Sequence, residues 1–255
     1  MSEYHDAMMT LLETIWGKGF MAPGGAGSVA KQVDGLDVAG KRILDIGCGL
    51  GGPDHLLASD YGATVVGIDL EEHLIRRARA TAVELGVDDR TEFLTVKAGP
   101  LAFPADSFDV VLSSGAFTQI AEKQDMFEEC LRVLKPGGAL TSYDWMKSEG
   151  RYSEDMLYFF EMEGLTYAMD TMENHQTILQ DAGFTKIKLT DASDWYRIEV
   201  RREYELLKGE LNAKVVELIG QESADYFVEN WRAMMVVCEK SEMQQVYLRA
   251  KKDQE

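Results

Sequence analysis

KRILDIGCGLGG, residues Lys41–Gly52, decides the fold. Ile43, Leu44 and Ile46 make an apolar strand that runs straight into a glycine turn, and the turn opens a helix. Gly47, Gly49 and Gly52 satisfy the spacing G-x-G-x-x-G. Glycine suits such a turn because a side chain would hold a ligand away from the backbone. No Lys-Ser or Lys-Thr pair follows the glycines, which excludes a P-loop. Two ligand classes fit what remains: a dinucleotide, and an adenosyl ligand without phosphates. Asp45 stands just before the first glycine, where a carboxylate is ill placed beside a pyrophosphate and well placed beside a cationic amine. Asp69 ends the next strand, VVGID, where an acid accepts the ribose hydroxyls of either ligand.

Outward from this stretch the chain alternates strand and helix. Strands are expected at Arg42–Ile46, Thr64–Ile68, Thr91–Val96, Phe108–Leu112 and Ala139–Tyr143, with helices near 53–60, 71–86 and 122–134. Such alternation predicts a parallel sheet covered on both faces. Residues 3–16 read as a helix with Met8, Leu11, Leu12 and Ile15 on one face. GKGFMAPGGAG follows with five glycines and reads as flexible. Beyond Tyr143 the pattern changes. Residues 153–182 and about 195–240 read as helical, Phe184–Thr190 as a strand, and Gln245–Ala250 as a strand closing the sheet. The segment 191–243 is too long for a connection and is expected to cap the sheet's carboxyl edge. The whole is one α/β domain, doubly wound around a seven-stranded, mostly parallel sheet. Its parts are an N-terminal helical lid (1–35), a cofactor-binding core (36–145), a cap region (146–243) holding the strand at 184–190, and a last strand and tail (244–255).

The chain of 255 residues carries 26 Lys and Arg against 44 Asp and Glu, a net charge of -18. A surface so acidic repels phosphate backbones and anionic membranes, so neither nucleic acid nor membrane is expected as a partner. MSEYHDAMM lacks the basic start and apolar run of a secretory signal, and no stretch is apolar enough to span a bilayer. Cys48, Cys130 and Cys238 are an odd number without close spacing, which argues against a disulfide framework and for a reducing cytoplasm. His5, His55, His73 and His175 are scattered, and no metal site is expected.

DIGCGLGG, GID, SFDVVLSSGAF and LRVLKPGG together resemble a class I S-adenosylmethionine-dependent methyltransferase over roughly residues 40–145. The resemblance implies that Asp45, Gly47 and Gly49 line the methionine end of the cofactor and that Asp69 takes the ribose. Leu70 with the backbone near Ala98 and Gly99 would flank the adenine, and Ser114 would join the same site. Lys97 stands where that family often has an acid reading the adenine amine.

IWGKGFMAPGG is similar to the N-terminal lid of phosphoethanolamine N-methyltransferases, which implies a place for Trp16 and Phe20 against the cofactor. DASDWYRIEVRREYELL is similar to their tail and to that of sarcosine/dimethylglycine methyltransferases. Against the first group, the Asp and His of a run like DAILH are here Gly115 and Gln119. The lid tyrosine is Phe20. The phosphate-reading tyrosine and arginine are Trp145 and Leu165, and a second tyrosine persists as Tyr167.

These departures lead to the expectation of an N-methyltransferase for a small amine or amino acid, not phosphoethanolamine. Trp145, Tyr167, Trp195 and Tyr196 would wall the acceptor, because aromatic faces attract cationic amines. Arg197 would hold a carboxylate. Tyr167 or Asp144 would take the proton. The glycine loop alone also admits a nicotinamide-dependent oxidoreductase, a methyltransferase for sulfur or oxygen acceptors, or a non-catalytic S-adenosylmethionine-binding protein. Arg201 and Arg202 with Glu199 and Glu203 read as a solvated helix face.

Overall fold

The computed structural model describes residues 6–165 and 167–254; His5 and the start of the first expected helix lie outside them. Seven strands form one sheet in the order β3-β2-β1-β4-β5-β7-β6. They are β1 Arg42–Ile46, β2 Thr64–Asp69, β3 Thr91–Thr95, β4 Phe108–Ser114, β5 Leu134–Lys147, β6 Thr185–Asp191 and β7 Met243–Lys251. β1 to β5 are parallel, and β7 runs antiparallel to both β5 and β6. Strand order reverses between β1 and β4, which opens a crevice at their carboxyl ends.

Both faces of the sheet are covered, as apolar central strands require. On one face Ile43, Val65 and Val110 pack with Val29 and Val33 of α2 (Gly25–Val33) and Leu57 of α3 (Gly52–Ser59). On the other, Leu44, Ile46, Val111 and Leu140 meet Phe127 and Cys130 of α5 (Lys123–Val133) and Leu179 of α7 (Met172–Asp181). α4 (Glu72–Leu85) buries Ile75, Ala78 and Ala82 beside Phe93 of β3.

A separate apolar cluster forms the cap. It joins α1 (Asp6–Trp16), α6 (Glu154–Glu163), α8 (Ser193–Lys208), α9 (Asn212–Ile219) and α10 (Gln221–Glu239) through Leu11, Phe159, Val200, Leu207, Val215, Phe227 and Val237. On α8 the buried positions Tyr196, Val200, Glu203 and Leu207 follow helical spacing. α6 and α7 start on side-chain caps, with Ser153 accepting from Met156 N and Thr171 from Asn174 N.

Three expectations change. The stretch read as flexible contains the start of α2, which packs on the sheet through Val29 and Val33. The helical reading of 153–182 divides into α6 and α7, separated at Gly164, whose φ of 69° ends α6. The fifth strand, expected at Ala139–Tyr143, runs from Leu134 to Lys147 and includes Lys135–Gly138. That stretch is an irregularity, where the register against β4 shifts between Phe108 and Val110.

Candidate active site

The crevice is built on the glycine loop. Gly47 N and Cys48 N both donate to Ile68 O, at 2.8 and 3.0 Å, tying the loop to β2. An added Cβ on Gly47 would stand 2.3 Å from Ala116 Cβ, so only glycine permits this approach of β1 to the segment after β4. At the end of β2, Asp69 Oδ2 accepts from Gly49 N and Oδ1 from Glu71 N, both at 2.9 Å. Burial raises the Asp69 pKa, against those backbone donors. Leu70 is 59% exposed beside it, and Ala98 and Gly99 are exposed beyond β3. Ser114 Oγ accepts from Gln32 Nε2 of α2 at 3.0 Å. Gly47, Gly49, Asp69, Leu70, Ala98, Gly99 and Ser114 thus lie along the carboxyl ends of four neighbouring strands. Asp45 is different, being 1% exposed and enclosed beneath the loop.

The segment between α1 and α2 rests on this loop. Gly52 N donates to Gly19 O at 3.0 Å, and Met21 Sδ would be 2.7 Å from an added Cβ on Gly49. Phe20 packs against the α2–α3 face of the sheet. Trp16, at the end of α1, points into the cap. Its Nε1 donates to Glu203 Oε1 at 2.7 Å, and Trp231 Nε1 donates to Glu203 Oε2 at 3.0 Å. The two rings lie 5.9 Å apart. Burial pushes the Glu203 carboxyl up to about 7, opposed by the two indole bonds. Glu203 is only 1% exposed and does not lie on a solvated helix face. Its helical spacing from Tyr196 and Val200 was the signal that its charged neighbours masked.

The expected acceptor residues divide. Trp145 meets Tyr196 edge-on at 4.7 Å, and Tyr167 stacks on Phe160 at 4.7 Å and 19°. Phe160 in turn meets Tyr152 at 4.9 Å. These rings belong to the cap cluster that also holds Trp16. Trp195 turns toward α2, where Lys31 Nζ sits 4.5 Å from its ring centre. Arg197 does not face the cap interior. It pairs with Asp194, bonds Ser241 Oγ at 2.8 Å, and lines an outer groove with Ile198, Arg201 and Glu239. The physical reason is helix phase, since Tyr196 and Val200 take the inward positions of α8.

Asp144 is also not placed as a base. It is 1% exposed, and Oδ1 accepts from Thr118 N and Thr118 Oγ1 at 3.1 Å each. Burial pushes its pKa up to about 6. Thr118 Oγ1 accepts from Trp145 N at 3.0 Å, and Thr118 O accepts from Ala168 N at 2.8 Å. Asp144 therefore braces the backbone that carries both Trp145 and Tyr167. Lys123 bonds Ala168 O and Ile120 O and lies 3.5 Å from Asp170. His175 is buried and neutral, its pKa lowered by burial to about 4. Among the described residues, no group of three or more His, Cys, Asp or Glu is placed to hold a metal, and no helix is long and apolar enough to cross a membrane.

Residues 44–142 match the family described as the methyltransferase domain, and this part of the chain is such a domain. The chain is 30% identical over 91% of its length to a phosphoethanolamine N-methyltransferase of Triticum aestivum, covering 45% of that protein. It therefore spans about half the length of the curated relatives it matches. A phosphoethanolamine N-methyltransferase of Haemonchus contortus, solved with phosphomonomethylethanolamine and S-adenosylhomocysteine, superposes with a TM-score of 0.91 at 24% identity. That likeness covers 99% of this chain and 59% of the other. A Galdieria sulphuraria protein assigned as a sarcosine dimethylglycine methyltransferase superposes with a TM-score of 0.83 at 16% identity, over 98% of both chains. Both likenesses show the fold.

Proposed function

We propose, with the methyltransferase domain at residues 44–142 as premise, that this chain methylates a small amine. The methyl donor is S-adenosyl-L-methionine, the product S-adenosyl-L-homocysteine, and the acceptor atom the nitrogen of an amine or amino acid. Asp69 takes the ribose diol, with its carboxylate already oriented by Gly49 N and Glu71 N. Asp45 serves the cationic methionine end. Gly47, Gly49 and Ser114 let the ligand approach the strand ends. Leu70, Ala98 and Gly99 flank the adenine, and the segment from Gly17 to Met21 covers the site. The sulfonium is the leaving group, so the protein's task is to orient and desolvate the reactants, which contributes roughly 7–11 kcal/mol. An attacking amine must be neutral, and water receives its proton, directly or through the Tyr167 hydroxyl, which takes up one proton as it passes on its own. A tertiary amine has no such proton to lose.

One observation carries the choice of acceptor: Glu203, a buried carboxylate held between the indoles of Trp16 and Trp231 among the cap's aromatic rings. Aromatic faces attract ammonium groups by about 0.5–2 kcal/mol each, and a nearby anion adds to that attraction. A phosphate would be repelled there. Lys123, the one buried Lys or Arg among the described residues, is already bonded to Ile120 O and Ala168 O. Phosphoethanolamine is therefore expected to be a poor acceptor. The named substrate of the wheat and Haemonchus relatives favours the opposite reading, as does the retained Tyr167. A labelled-methyl screen over glycine, sarcosine, dimethylglycine, ethanolamine, phosphoethanolamine and thiols separates these. Transfer to phosphoethanolamine above all others overturns the acceptor reading. No transfer to any acceptor, with cofactor bound, favours a non-catalytic protein.

A further inference from the structure

Beneath the glycine loop lie two carboxyl groups that meet no donor. Asp45 on β1 and Asp54 on α3 are 1% and 0% exposed. None of their four oxygens is hydrogen-bonded by any other group of the protein. Asp45 is paired with Gly67 across β1 and β2, and Asp54 Oδ1 lies 2.7 Å from where a Cβ on Gly67 would stand, so the two carboxyl groups lie side by side on one face of the sheet. Two ionised carboxylates are acceptors only and cannot hold such a contact, so one of them must carry a proton. The arrangement is built, not incidental. β2 has glycine at Gly67 where an added Cβ would stand 2.7 Å from Asp54 Oδ1 and 2.9 Å from Cys48 Sγ. The other titratable groups acting on the pair are Asp69 from β2 and Cys48 from the loop. Neither supplies positive charge. His55, the next residue on α3, has its ring Nε2 on Ala78 O.

We propose that Asp54 is a positioning residue for the cofactor: it shares one proton with Asp45, and the cofactor's ammonium displaces that proton when it binds. The inference rests on the reading of Asp45 given above. Before binding, burial raises both carboxyls and the charge of Asp54 raises Asp45 further, which keeps a proton on the pair, with Asp54 raised to about 7. An ammonium beside Asp45 supplies the missing positive charge and the missing donor. Full ionisation of the pair is then favoured, and the proton leaves to solvent. Cofactor affinity should accordingly rise with pH across the range in which the empty pair titrates.

Calorimetric titration of S-adenosylhomocysteine into the full chain, at about pH 7 in two buffers of different ionisation enthalpy, reads the protons released. The wild-type chain is expected to release a fraction of a proton. Asp54→Asn keeps a neutral donor to Asp45, so it should bind within about threefold of wild type and lose that release. Binding with buffer-independent heat in the wild type overturns the proposal, as does unchanged proton release in Asp54→Asn. Failure of the wild type to bind S-adenosylhomocysteine overturns the cofactor reading itself. If Asp54→Asn does not fold, infrared difference spectroscopy of the wild type decides. The carbonyl stretch of a protonated carboxyl should weaken on adding the ligand, and an unchanged band overturns the proposal.

Discussion

The indole Nε1 of Trp16 donates a 2.7 Å hydrogen bond to Oε1 of Glu203, joining the last residue of α1 to the middle of α8. Trp231 of α10 donates to the other oxygen. One buried carboxylate thus ties three helices, and two indole donors that would otherwise be orphaned are satisfied. Beside the Asn230–Glu163 pair, the same carboxylate is a buried polar group of the aromatic cap. Its stabilising and recognition roles make different predictions.

Stability should depend on Glu203 ionisation. Its pKa in the fold is about 7 against an ordinary value of 4.5, so the folded chain holds the proton more tightly than the unfolded one. The sign follows: the fold pays nothing for Glu203 below about pH 4.5, is progressively destabilised as pH rises through that window, and bears the full cost, about 3 kcal/mol, above about pH 7. Glu203→Gln cannot ionise. Thermal melts of the two chains should therefore diverge in favour of the variant between about pH 4.5 and 7, offset by roughly 1 kcal/mol for one weakened indole bond. Parallel pH profiles would remove Glu203 as the titrating group.

Recognition is read in the acceptor kinetics. On the proposed reading Glu203→Gln removes a charge that attracts the acceptor's ammonium, and a charge-assisted contact contributes about 1.5–3 kcal/mol. The KM for a good amine acceptor should rise at least tenfold while S-adenosylhomocysteine affinity stays the same. An unchanged KM would move the acceptor away from the Trp16–Trp231 pair.

Asp69→Ala tests the other half of the crevice. Asp69 already accepts from Gly49 N and Glu71 N, so its carboxylate is oriented before any ligand arrives. Loss of the ribose contact should weaken S-adenosylmethionine binding by on the order of 1.5–3 kcal/mol. Calorimetry on a folded Asp69→Ala chain with wild-type affinity would refute the assignment.

The nucleotide side of the crevice was legible because backbone dictates it: an apolar strand, a glycine turn and an acid at the next strand end fix where Gly47, Gly49 and Asp69 stand. The cap was less legible because its polar residues depend on tertiary partners. Glu203 stands in the run EVRRE, where charge suggests solvent, and only Trp16 and Trp231 make it a buried residue. Asp54 looks like an ordinary acid in a helix's first turn. Its burial depends on the absence of a side chain at Gly67, a residue of another element. α2 was hidden because Gly24, Gly25 and Gly27 suppress local helix propensity, which packing of Val29 and Val33 overrides.

Arg197 shows the reverse error, a charged residue given a ligand when a neighbour supplies its partner. Asp194 is one turn away on α8 and takes the guanidinium, with Ser241 beyond. Arg197→Ala should leave the acceptor KM within about twofold of wild type, and it should cost under about 1 kcal/mol of stability, as an exposed pair does. A large rise in KM would restore the carboxylate-clamp expectation and place α8 differently during turnover.

The last prediction concerns the N-terminal segment as a gate. Residues 17–20 lie over the loop through the Gly52 N to Gly19 O bond, with Gly19 N donating to Glu13 Oε1 of α1 at 2.8 Å and Phe20 packed on the face that holds Val29 and Val33 of α2. The Lys18–Glu84 ion pair is 62% exposed on both sides, so it holds the segment only weakly. Gly17 and Gly19 have φ of 102° and 83°, conformations that a glycine leaves without steric cost. Opening here would lift Phe20 and Met21 from the loop and admit a ligand; closing would exclude water from the sulfonium. Trypsin cleavage after Lys18 should therefore slow at least severalfold when S-adenosylhomocysteine is present, while cleavage at exposed Lys186 on the edge strand β6 is unchanged. Equal rates at Lys18 with and without ligand would show that the segment does not close over the cofactor.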